Sequence, residues 1–144
     1  MPAIDRIHHS VRNALIKDGW TVTADPYILR YEELTLFADL AAERILAIVR
    51  GKQQIIVEIK SFSSASPVQD LKVALGQYVL YRGLLEVTAP ERQLYLAVSE
   101  ASYRALFSQK AVQHITARDN LHLVVIDLAV EEIVQWLPLP NTAM

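Results

Sequence analysis

The sequence predicts a mixed α/β fold, an α+β mixed sheet that is antiparallel in its early part and carries helices on its faces. Three observations carry this. Gln54-Ile55-Ile56-Val57-Glu58-Ile59-Lys60 has four β-branched apolar residues in seven and reads as an interior strand. Ser66-Pro67-Val68-Gln69 is a helix start, with serine as cap, proline in the first helical position and Gln69 placed to complete a capping box. Finally, the order of elements reads α-β-β-β-β-α-β-α-α-β-β, a mixed sheet mostly antiparallel early with helices on its faces.

The elements follow in order. Ile4, Ile7, Val11, Ala14 and Leu15 recur at helical spacing, so a helix spans about Asp5 to Lys17, with Gly19 as its stop. Within it His8 and His9 point about 100° apart and form no paired ligand site; solvent or helix-edge roles are expected for both. Trp20 to Ala24 is a short strand and Asp25-Pro26 the turn after it. Leu34 to Asp39 is a second strand and Arg44 to Val49 a third. Gly51-Lys52 is read as a tight turn joining that third strand to the 54–60 strand as a hairpin. A polar loop over residues 61–65 leads into the helix that Ser66 caps, which runs to about Glu86. Its buried stripe is read as Val68, Leu71, Leu75, Tyr78 and Val79, with Gln77 and Tyr81 one turn apart on a neighbouring face. Gly76, costly in mid-helix, is read as allowing close packing on the sheet. Gln93 to Val98 is a strand. Ser99 caps a helix to about Phe107, and Ser108 one to about Ala117. Leu121 to Ile126 and Glu132 to Leu137 are strands, and Pro138 and Pro140 end the last one and leave a loose tail.

The 144 residues are expected to form a single domain with a full core. The 52% apolar content and mean hydropathy of +0.20 exclude a disordered chain. No apolar run reaches the roughly 20 residues that span a bilayer, and the start shows no signal-peptide pattern, so a cytoplasmic protein without membrane association is expected. Cysteine is absent, which excludes disulfides and thiolate metal sites. The net charge of −2 gives no overall basic excess of the kind nucleic-acid binders usually show, so any DNA role must rest on a local surface.

One strand carries charge where its company is apolar. Side chains alternate between faces along a strand, so Glu58 and Lys60 share a face with Ile56, while Ile55, Val57 and Ile59 share the other. Asp39 lies nineteen residues before Glu58, across one hairpin, and strand pairing can bring the two carboxylates together. Two carboxylates and a strand carbonyl suit Mg²⁺, which takes hard oxygen ligands and keeps several waters. A metal there would polarise a phosphoryl oxygen and lower the pKa of a bound water. Lys60 would orient that water or stabilise developing negative charge, and Gln77 and Tyr81 would add hydrogen bonds from the following helix. The chemistry implied is metal-assisted hydrolysis of a phosphodiester. The alternative is a plain surface ion pair between Glu58 and Lys60, worth under about 1 kcal/mol. Glu43 reads as a solvated or salt-bridged residue near Arg44. His114 and His122 make no ligand spacing with these acids. Asp5 reads as a first-turn acid, with an accessory catalytic role as its other reading.

Several stretches together resemble one family. Asn13-Ala14-Leu15-Ile16-Lys17-Asp18-Gly19-Trp20 is followed by Thr23-Ala24-Asp25-Pro26, Asp39-Leu40-Ala41-Ala42-Glu43-Arg44, Val57-Glu58-Ile59-Lys60-Ser61-Phe62, Ala74-Leu75-Gly76-Gln77-Tyr78 and Glu132-Ile133-Val134-Gln135-Trp136. This combination, spread over nearly the whole chain, resembles the XisH family, the cyanobacterial fdxN-element excision controlling factors. That family is similar in fold to the PD-(D/E)XK nucleases, so the resemblance implies a restriction-endonuclease-like core over residues 1–144. It implies Asp39 and Glu58 as ligands of Mg²⁺ or Mn²⁺, Lys60 as the catalytic lysine and Gln77 as the glutamine of the following helix. Ala38 stands where many members have proline. Asp5 is the one acid near the start of the first helix, where many carry a glutamate. The resemblance further implies control of programmed DNA excision during heterocyst differentiation, an XisI-type protein partner and a separate recombinase. DNA and a second copy of the chain are the other partners to test.

Three functions follow from these readings: a metal-dependent endodeoxyribonuclease, a catalytically inactive nuclease-fold protein that regulates by binding a protein partner, and an unrelated acid/base enzyme using two carboxylates.

Overall fold

The computed structural model describes residues 3–46 and 51–140. Its elements are α1 (Ala3–Lys17), β1 (Thr21–Ala24), β2 (Tyr27–Tyr31), β3 (Leu34–Ala38), β4 (Leu40–Leu46), β5 (Gly51–Ile59), α2 (Pro67–Thr88), β6 (Gln93–Ser99), α3 (Glu100–Leu106), α4 (Lys110–Arg118), β7 (Leu123–Asp127) and β8 (Glu132–Leu137). A six-stranded sheet runs β1-β4-β5-β6-β7-β8. The β1–β4, β4–β5 and β7–β8 pairs are antiparallel, and β5–β6 and β6–β7 are parallel. The mixed α/β class is therefore as expected. No helix among the described residues is long and apolar enough to cross a membrane.

The sheet has a core on each face, and β5 shows why. Its residues 53–58 are all buried, and alternation divides them. Ile55 and Val57 pack with Val11, Ala14, Leu15 and Trp20 beneath α1. Ile56 packs with Leu71, Ala74, Tyr78, Tyr81 and Leu85 of α2, on the face that α3 and α4 also cover. Glu58 follows Ile56 in the alternation and so emerges under α2.

Several sequence expectations are corrected. A strand at Tyr27–Tyr31 was not foreseen; it pairs with β3 as a separate two-stranded ribbon whose Leu29 is buried against the α2 core. Its turn, Glu32-Glu33, carries no turn signal, because Glu32 adopts φ +52° where glycine or asparagine is usual. The third strand starts at Leu40, not Arg44, since Leu40, Ala41 and Ala42 pair with Val57, Ile56 and Ile55. Gly51 and Lys52 are not a turn: they pair with Leu46 and Ile45 inside the ladder. The connection falls on residues 47–50, outside the described residues, as does the end of the strand expected to reach Val49.

In α2 the Ser66 hydroxyl accepts from Gln69 N–H at 3.2 Å, so the cap forms as read. The buried stripe forms in part: Leu71 and Tyr78 are buried and Leu75 packs against the core as read, but Val68 and Val79 are exposed, and Ala74, Tyr81 and Leu85 are buried as well. A Cβ built on Gly76 would meet nothing within 4 Å, so this glycine makes no close approach to the sheet. Ser99 caps α3, accepting from Ser102 N–H at 3.0 Å. Ser108 does not cap α4; its hydroxyl donates back to the Arg104 carbonyl, and Gln109 holds the cap position. The tail is tied rather than loose as far as residue 140. Tyr95 hydroxyl donates to the Pro138 carbonyl at 2.6 Å, and the buried Gln53 amide donates to the Pro140 carbonyl at 2.7 Å.

Candidate functional site

The site forms where β4 and β5 part. Leu40 pairs with Val57, so the next step along both strands sets Asp39 beside Glu58. Asp39 itself lies in the bend between β3 and β4 and has left the ladder. Its Oδ2 accepts the Ile59 N–H at 2.8 Å, taking the place of a strand carbonyl. On the other edge the Lys60 N–H donates to the Ala97 carbonyl at 3.0 Å, which continues the parallel pairing with β6. The two ends of the Glu58-Ile59-Lys60 segment are thus fixed from both sides.

A cavity of about 350 Å³ opens there, lined among others by Asp39, Glu58, Lys60, Gln77, Tyr81 and His8. All four expected catalytic residues, and the expected accessory Tyr81, therefore meet in one place. Asp5 lies in α1, but its side chain is outside the described residues. Glu58 is only 6% exposed. Burial, and after it a hydrogen bond and charge repulsion from the Asp39 carboxyl, push Glu58 up to about 8. The Tyr81 hydroxyl and the Lys60 charge act the other way. Tyr81 donates to the Phe37 carbonyl at 3.3 Å and also faces Glu58; burial, then that carboxylate, push its hydroxyl up to about 12. Lys60 acts on Glu58 by charge but makes no ion pair within 4 Å among the described residues, so the plain ion pair is not what is found. Gln77 Oε1 is buried with no hydrogen-bond partner among the described residues.

His8, read from sequence as a solvent or helix-edge residue, belongs to this site. Its Nε2 meets Asp25 Oδ1 at 2.8 Å, and its Nδ1 lies 3.9 Å from Asp39 Oδ1. Arg12, one turn later, holds the other oxygen of Asp25. No local spacing signals this, because Asp25 and Asp39 come within reach of His8 only after the chain folds back. Glu43 pairs with Lys52 at 3.5 Å, away from the cavity, while Arg44 pairs with Asp18. His122 lines a separate cavity with Arg82 and Arg92.

The donor set is consistent with a hard cation. Two carboxylates that repel one another, beside a buried amide oxygen without a partner, are what Mg²⁺ or Mn²⁺ would relieve. Among the described residues no three His, Asp or Glu side chains surround one point, so such an ion would keep several waters.

A model of the XisH protein family matches residues 1–134. The crystal structure of an XisH family protein from Nostoc punctiforme is 35% identical, with a TM-score of 0.83 over 92% of this chain and 99% of that one. That of an fdxN element excision controlling factor protein from Anabaena variabilis is 36% identical, with a TM-score of 0.83 over 92% and 98%. No curated protein sequence matches the chain significantly. With nearly all of its length under the family model and two relatives aligned almost end to end, the chain belongs to the XisH family.

Proposed function

We propose that this chain is an excision controlling factor that acts on DNA through a PD-(D/E)XK-type phosphodiesterase site. The name of the Anabaena variabilis relative supports the first part. The observation that carries the second is the convergence of Asp39, Glu58, Lys60 and the unpartnered Gln77 Oε1 on one cavity at the end of β5. Asp39 and Glu58 would hold Mg²⁺ or Mn²⁺. Bound there, the ion would polarise the phosphoryl group and acidify a water. The chain's own residues supply the rest. Lys60, in no ion pair within 4 Å among the described residues, faces the charge that develops on the phosphate. Tyr81 holds the Glu58 carboxyl in place, and Gln77 Oε1 accepts a hydrogen bond from the attacking water.

The test is plasmid nicking with Mn²⁺, run beside Glu58→Ala and repeated with an XisI-type partner present. Nicking by the parent and none by the variant supports the reading. Absence of nicking in every arm would sink it. The second reading, a non-cleaving regulator that binds its partner, is favoured by the net charge of −2. It predicts a complex with the XisI-type protein that survives Glu58→Ala.

A further inference from the structure

Helix α2 is apolar on two sides, and only one of them is covered. Leu71, Ala74, Tyr78, Tyr81 and Leu85 face the sheet. On the opposite side Val73, Val79, Leu80 and Val87 are exposed by 48, 51, 46 and 59%. Val73, Leu80 and Val87 recur every seven residues, the spacing that keeps one face turned toward a partner helix. Gly76 and Gly83 fall between them, three residues after Val73 and Leu80, and added Cβ atoms would meet nothing within 4 Å at either.

We propose that this face binds the same face of a second copy of the chain, antiparallel, about a twofold axis passing between Val79 and Leu80. Charge and shape select that occupant. The axis sets Gly76 against the Gly83 position of the other copy, twice, so two backbones approach where neither has a side chain. It also sets the exposed Lys72 beside the Glu86 position of the other copy, at both ends of the contact, because a twofold across the helices keeps each flank on its own side. The stripe is thus complementary to itself, with apolar centre, paired glycines and opposite charges at its ends. Gln77 and Tyr81 lie on the other flank of α2, so the axis sets both candidate sites on one side of the pair.

The absence of cysteine makes a direct test clean. Gly76→Cys and Gly83→Cys proteins are oxidised separately and mixed. Disulfide-linked dimer in the mixture and none in either protein alone is expected; crosslinking of each alone, or of neither in the mixture, overturns the register. Sedimentation of the full chain reads the association itself. A mass of twice 16.2 kDa is expected, with Leu80→Glu weakening association by at least about tenfold at unchanged circular dichroism. Lys72→Glu weakens it and adding Glu86→Lys restores it. A chain that stays monomeric at all concentrations, or that pairs only with a different protein, overturns the proposal, as does a dimer indifferent to Leu80→Glu.

Discussion

Asp39 Oδ2 accepts the backbone N–H of Ile59 at 2.8 Å, so one acid closes the end of a strand while its charge faces Glu58. The two duties separate by substitution. Asp39→Ala loses the acceptor and is expected to cost about 1 kcal/mol, a fall of roughly 2–4 °C in melting temperature. Asp39→Asn keeps an oxygen for Ile59 and melts close to the parent. Both lose divalent-ion-dependent stabilisation, measured as the shift in melting temperature on adding Mn²⁺.

The contribution of Glu58 to the stability of the metal-free protein is expected to fall as the pH rises. Glu58 has a folded pKa of about 8 against an ordinary 4.5, through burial and then the Asp39 carboxyl. Stability from this group is complete below 4.5 and is lost as the pH climbs through about 8, because the unfolded chain gives up the proton first. Glu58→Gln removes this dependence. It is expected to match the parent below pH 4.5 and to exceed it above pH 8 by on the order of a few kcal/mol. Thermal melts across that range check it, and added Mn²⁺ narrows the gap only for the parent.

Lys60 makes no ion pair within 4 Å among the described residues, so Lys60→Met should shift stability by less than about 0.5 kcal/mol. The same change removes a charge that favours ionised Glu58, so the carboxyl moves further up, read by NMR titration. Cleavage in the nicking assay is expected to fall by about 10²-fold or more.

Gly76→Ala and Gly83→Ala place a methyl where the single chain leaves space. In dilute solution each is expected to raise stability by about 1 kcal/mol, the ordinary helix preference for alanine. At high protein concentration each weakens self-association modestly, because a methyl in the glycine contact moves the two backbones apart, by less than the reach of a disulfide. Melting and sedimentation on the same samples separate the two effects.

The strand at 54–60 and the helix start at Ser66-Pro67 were legible because each rests on adjacent residues: β-branched side chains on a pleat, and a hydroxyl reaching an N–H three positions on. The grouping of Asp39, Glu58, Lys60 and Gln77 was legible through spacing and family likeness, and the cavity unites them. The 27–31 strand was hidden because its turn is made of two glutamates, the first of them held at an unusual φ in the ribbon they close. His8 was hidden because what makes it part of the site is Asp25, seventeen residues away and reached only after the chain folds back.

Local chemistry in the sequence by itself determined the class of fold, the serine caps of α2 and α3 and the acids to watch. Tertiary structure alone decided which side of α2 is covered, that Asp39 leaves its strand to serve Ile59, and that burial beside a second carboxyl lifts Glu58 out of the normal acid range. Those depend on distance in space and on the loss of water, and neither is written in the order of residues.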